Sequence, residues 1–79
     1  MLDDEIYSAL TEVFREVFCD DDLVLRPDLS ARDVPGWDSL RHVRLVLAIE
    51  RRFKHRYPAS KVAALHDVGE LAALVKSYT

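Results

Sequence analysis

Gly36-Trp37-Asp38-Ser39-Leu40 is where an irregular stretch turns into a long helix, and the fold is read outward from it. Aspartate is a preferred helix cap, so Asp38 is placed to satisfy the orphan amides of the first turn. Ser39 then stands one residue inside the helix, at the positive end of its dipole. A hydroxyl held there and open to solvent is a natural anchor for a phosphate ester.

Behind the serine, the apolar spacing predicts a helix over 39–53 with two unlike faces. At about 100° per residue, Leu45, Val46, Ile49 and Phe53 fall together with His42 beside them, while Leu40, Val43 and Leu47 fall nearly opposite with Arg44 and Arg51. One apolar face must be core. The other, edged by arginines, reads as a docking surface rather than a second buried side.

Upstream, a first helix starts at Asp3 or Asp4, with acids in its opening turn as the dipole prefers. Ile6, Leu10, Val13 and Val17 form its stripe, widened by Tyr7, Phe14 and Phe18, and Asp20-Asp21-Asp22 breaks it. From 20 to 37 no period is sustained. Leu23, Val24, Leu25, Leu29 and Val34 are expected to pin this long loop to the core, and loops of such length are usually functional. Downstream, Tyr57-Pro58 ends the segment, because the residue before proline leaves the helical region. A short helix is expected over 59–65 with Val62 and Leu65 turned inward. Asp67-Val68-Gly69-Glu70 then reads as a capping box for a last helix whose apolar face is Val68, Leu71, Leu74, Val75 and Tyr78. Gly69 weakens that first turn, and close packing against a neighbour would explain it. The expected fold is all-α: three longer helices and one short one, with a long loop between the first two.

At 79 residues, the chain is expected to be one small domain spanning 1–79, and 49% apolar composition with two glycines and three prolines suits a folded core. Met1 is followed by Asp3, Asp4 and Glu5, which is unlike a secretory signal, and no apolar run reaches membrane-spanning length. Cys19 is the single cysteine, so no internal disulfide forms; a reducing cytoplasm is expected, with Cys19 at the core edge of a helix end. The net charge of −3 conceals an asymmetry: eleven acids precede Ser39 against Arg15, Arg26 and Arg32, whereas from Ser39 to Arg56 six bases face Glu50 alone. Such a division points to a charged contact surface.

Other chemistries fit less well. Ser39 and His42 are near neighbours on one helix, but a hydrolase would need a third orienting group and a substrate cleft that so small a domain does not offer. The acidic half opposes a nucleic-acid backbone, and arginines interleaved with leucines and valines suit a protein partner better. A purely structural interaction module leaves the Asp38-Ser39 hinge unexplained. His42, His55 and His66 are too scattered to read as metal ligands; His55 and His66 are expected at the surface or at helix ends.

With these residues in view, the chain resembles the acyl and peptidyl carrier proteins over nearly its whole length. The family's Asp-Ser-Leu appears as Asp38-Ser39-Leu40, preceded by a Gly36-Trp37 variant similar to those of stand-alone carriers in specialised biosynthesis. Val43-x-Leu45-Val46-x-Ala48-Ile49-Glu50-x-x-Phe53 follows the family's second helix, and Pro58, Val62, Leu65 and Asp67-Val68 follow its third helix and the start of its fourth. The resemblance implies a four-helix bundle of the acyl-carrier type and a non-catalytic carrier. In it, Ser39 is esterified by 4′-phosphopantetheine from coenzyme A, through a phosphopantetheinyl transferase, and the thiol of that arm holds cargo as a thioester. Asp38 is then cap and recognition element, with Leu40 and Val62 also beside the cofactor. Val62 and Leu65 lie where the arm or acyl chain rests, and His42 packs near its base. Leu40, Val43, Arg44, Leu47 and Arg51 form the face for loading and downstream enzymes. A cytoplasmic monomer is implied, without nucleic-acid or membrane partners.

One departure is informative. Carriers of the fatty-acid type usually present acids along the second helix, where this chain has Arg41, Arg44, Arg51 and Arg52; Ser60 and Ala63 also replace frequent acids of the third. That implies partners with acidic or mixed surfaces in a dedicated pathway. Acyl, hydroxyacyl and aminoacyl cargoes stay open.

Overall fold

The computed structural model describes residues 2–78, so Met1 and Thr79 of the expected 1–79 domain lie outside the described residues. Four helices follow in order: α1 (Asp3–Phe18), α2 (Ser39–Phe53), α3 (Ala59–Ala63) and α4 (Val68–Ser77), with no strand among the described residues. The all-α bundle expected from the sequence is therefore the fold observed.

α1 buries Ile6, Ala9, Leu10, Val13 and Phe14, the predicted stripe with Val17 half-buried at its edge. It stops at Cys19, which turns left-handed (φ 52°) so that the amides of Cys19 and Asp20 fold back onto the Glu16 and Arg15 carbonyls. Cys19 is exposed in that cap, not at the core edge. The helix therefore ends one residue before the acidic run that was expected to break it.

α2 lays Leu45 and Ile49 against α1, with His42, Val46 and Phe53 half-buried on the same side. Two arginines tie the helices together. Arg41 donates to the Val17 carbonyl at 2.8 Å with its guanidinium 6.0 Å from the Phe18 ring centre, and Arg52 pairs with Glu12 at 2.6 Å. The Arg52 pair is half-exposed and stabilises by less than about 1 kcal/mol. Both side chains are thus committed to α1, which removes them from the free basic surface that the sequence suggested.

The long loop is pinned by Leu29 and Val34, which are buried, and by half-buried Leu23 and Leu25; Val24 is 66% exposed and anchors nothing. The loop's second task is to cap α4. The Val68 amide donates to the Leu29 carbonyl (2.9 Å), the Gly69 amide to the Pro27 carbonyl (2.8 Å) and the Glu70 amide to Asp67 Oδ1 (2.9 Å). Three orphan donors of a helix start are satisfied this way. A Cβ on Gly69 would sit 2.9 Å from the Pro27 oxygen, which confirms close packing as the reason for glycine. Gly69→Ala is expected to destabilise by about 1–3 kcal/mol despite alanine's better helix propensity, because backbone must shift and a capping bond lengthens. A urea titration checks this; a gain in stability would mean the loop yields freely.

α3 is shorter than expected, five residues without a side-chain cap or a buried residue. Half-buried Val62 and Leu65 hold it to the core formed by α1, α2 and α4. Beside it Tyr57 is buried, its amide held by Glu50 Oε2 at 2.8 Å, and burial followed by the Glu50 and Tyr78 charges pushes its hydroxyl pKa upward.

Candidate functional site

Asp38 caps α2 as its sequence position suggested: Oδ1 accepts the Arg41 amide at 2.8 Å, and the Asp38 carbonyl accepts the His42 amide at 2.8 Å. The amides of Ser39 and Leu40 have no partner among the described residues, and the Ser39 hydroxyl makes no hydrogen bond there either. The side chain is exposed. The result is a free hydroxyl next to two unpaired N–H groups at the positive end of a 15-residue helix. Asp38→Ala is expected to cost about 1 kcal/mol by returning the Arg41 amide to solvent, a change read as a lower melting temperature.

An open groove of about 510 Å³ runs from Ser39 between the start of α2 and the end of α3. Trp37, His42 and Val43 form one wall, and Ala63 and Leu65 form the other, with Ala31 from the loop at one end. A narrower pocket of about 60 Å³ continues past Trp37, His42 and Leu65 to Leu71 of α4. Leu65 lines this groove, while Val62 is half-buried on the core and does not line it.

Trp37 was the residue that sequence reasoning left without a site role. Its ring packs edge-on to Phe14 (5.4 Å, 81°) and tilted against Phe18 (5.9 Å), so the core of α1 holds it in place. Its indole nitrogen donates to His42 Nδ1 at 3.1 Å, and the two rings lie nearly parallel, 18° apart. His42 is thus packed at the groove and not hydrogen-bonded to Ser39, so no nucleophile–base pair exists between them. Among the described residues no group of three or more His, Cys, Asp or Glu side chains is placed to hold a metal ion. His55 and His66 are exposed, as expected.

Along α2, Leu40, Val43 and Leu47 are 62%, 55% and 53% exposed, forming the second apolar face anticipated from the helical period. Arg44 and Arg51 flank it, exposed and without an ion-pair partner among the described residues. At the helix end Arg51, Lys54, His55 and Arg56 border a shallow groove of about 420 Å³ that begins at Leu47. No described helix is long and apolar enough to cross a membrane.

No protein-family model matches the sequence. No curated protein matches it either. Among solved structures, the chain is similar to the holo acyl carrier protein from Geobacter metallireducens, determined by solution NMR: 41% identity, a TM-score of 0.84, and coverage of 90% of this chain and 82% of that one. Identity at that level over most of both chains, joined to the same fold, carries more than a shared architecture does. The chain belongs to the acyl carrier protein family.

Proposed function

We propose that the protein holds a biosynthetic acyl intermediate as a thioester on a 4′-phosphopantetheine arm attached to Ser39, and presents it to partner enzymes of a dedicated pathway. The observation that carries this is the free Ser39 hydroxyl beside two unpaired amides, at the mouth of a largely apolar groove. Those residues fit the group. The Ser39 and Leu40 amides suit a phosphodiester, and Val43, Ala63 and Leu65 suit an apolar chain. The arm, when bound, supplies the thiol on which cargo is carried. Ser39 itself is a passive acceptor: no side chain here takes its proton, so a phosphopantetheinyl transferase must do so. Asp38 keeps the helix start rigid. The match to a holo acyl carrier favours an acyl over an aminoacyl cargo. Residues 1–79 act as a single carrier domain, a non-catalytic cytoplasmic monomer.

Incubation with coenzyme A and a broad-specificity phosphopantetheinyl transferase tests the reading. Mass spectrometry should show a gain of one phosphopantetheine, mapped by fragmentation to Ser39. A folded protein that gains nothing would overturn it.

The partner face is Leu40, Val43 and Leu47 with Arg44 and Arg51. Its basic rim sets it apart from carriers of the fatty-acid type and supports partners with acidic or mixed surfaces. Wild-type protein is therefore expected to be a poor acceptor for a malonyltransferase of fatty-acid synthesis. Arg44→Glu/Arg51→Glu should accelerate that transfer about tenfold, equivalent to about 1.4 kcal/mol, with the gain fading as salt is raised. Efficient malonyl transfer by the wild type, unchanged in the double variant, would return the protein to housekeeping synthesis.

A further inference from the structure

In the groove beside Ser39, His42 uses only one of its two ring nitrogens. His42 Nδ1 receives the Trp37 indole N–H at 3.1 Å. Indole donates and has no acceptor, so Nδ1 is the accepting nitrogen and the neutral imidazole carries its hydrogen on Nε2. Among the described residues nothing pairs with Nε2. The ring is half-buried and lines both the groove at Ser39 and the narrower pocket beneath it. Nε2 is not sealed from solvent, so an acceptor oxygen arriving in the groove takes the place of water on its hydrogen.

The arrangement is built, not incidental. Phe14 and Phe18 hold Trp37 from the core side, and Trp37 in turn fixes the imidazole by stacking and by its N–H. Ser39 and His42 are three residues apart on α2, so their Cβ atoms are about 5–6 Å from each other. Of the nearby carboxylates, Asp38 Oδ1 accepts the Arg41 amide and Asp67 Oδ1 the Glu70 amide, and neither is bonded to His42.

We propose that Trp37 and His42 form a fixed pair that presents the Nε2 hydrogen to an acceptor oxygen of the group held on Ser39, which makes His42 a positioning residue for the arm or its cargo. This rests on Ser39 as the point of attachment. The acceptor belongs either to the arm, as phosphodiester or amide carbonyl, or to a polar acyl cargo, as carbonyl or hydroxyl. The recognition chemistry is the same in each case. A saturated chain alone would make apolar contacts, with Val43, Ala63 and Leu65 among them, and offer His42 no acceptor.

The test is long-range proton–nitrogen NMR on histidine-labelled full-length protein in four states: Ser39 free, arm with free thiol, butyryl thioester and 3-hydroxybutyryl thioester. Mass spectrometry of the same samples reports loading, so a failure of Ser39 to accept the arm is seen separately from a failure of this inference. The unloaded protein should show the Nε2-protonated tautomer. A change at Nε2 in the free-thiol state assigns the acceptor to the arm; a change first seen in both thioester states assigns it to the cargo carbonyl, and one confined to the 3-hydroxybutyryl state to the cargo hydroxyl. His42→Gln keeps one acceptor and one donor and should preserve Overhauser contacts between the loaded group and the Trp37 ring; His42→Leu should lose them. A ring protonated on Nδ1, or an Nε2 resonance that in every loaded state stays where it is in the unloaded protein, would overturn the proposal.

Discussion

Ser39→Ala is expected to abolish phosphopantetheine attachment while leaving the fold as stable as before. The two halves of that result have separate physical grounds. The serine hydroxyl makes no hydrogen bond among the described residues and is exposed, so its removal breaks nothing in the native state. Alanine is the better helix former, by a few tenths of a kcal/mol, and the Asp38 cap that starts α2 depends on the Arg41 amide rather than on residue 39. Circular dichroism should therefore give an unchanged or slightly raised melting temperature. Mass spectrometry, under conditions that load the wild type fully, should show no gain at all. A gain that persists in Ser39→Ala would move the attachment elsewhere and empty the groove of its proposed role. A destabilised variant would instead reveal a bond from the hydroxyl that the structure does not contain.

How much of this was legible beforehand depended on whether the signal was local. The start of α2 could be read because capping is a contact over three residues, from Asp38 to the Arg41 amide. The exposed Leu40, Val43 and Leu47 could be read because a helical period assigns faces without knowledge of the neighbours. Gly69 could be read as a close approach, although not that Pro27 was the neighbour. The loop resisted. With no period, Val24 looked no different from Leu29, and only the folded chain separates an exposed valine from a buried leucine. Arg41 and Arg52 looked like surface charges because the approach of α1 to that side of α2 is a tertiary fact. The Trp37–His42 bond joins a loop residue to a helix residue across the cap, and no sequence period relates the two. α3 ended early for a similar reason: it has no side-chain cap and no buried residue to extend it past Ala63.

Phe14→Ala is expected to be the most damaging single change in the core, and its effect should reach the site. Phe14 is fully buried, stacked on Phe18 at 5.8 Å and edge-on to Trp37 at 5.4 Å. Truncation of a buried phenylalanine costs about 3–5 kcal/mol through lost transfer energy and the cavity left behind. A chain of 79 residues has a total stability of about 4–12 kcal/mol, so the variant should be marginal and lose at least about 12 °C in melting temperature. Phe14→Leu, which keeps much of the apolar volume, should lose about half as much or less. Because the chain has a single tryptophan, its fluorescence reports on the groove wall alone. In Phe14→Leu the emission should shift to the red while the helical signal stays native, since Trp37 loses its edge-on partner and admits water. The same loosening should weaken the bond to His42, and the histidine NMR spectrum should then show a mixture of tautomers. Native emission together with a native tautomer in Phe14→Leu would show that Trp37 is held by Phe18 and the loop, and that Phe14 does not set the geometry beside Ser39.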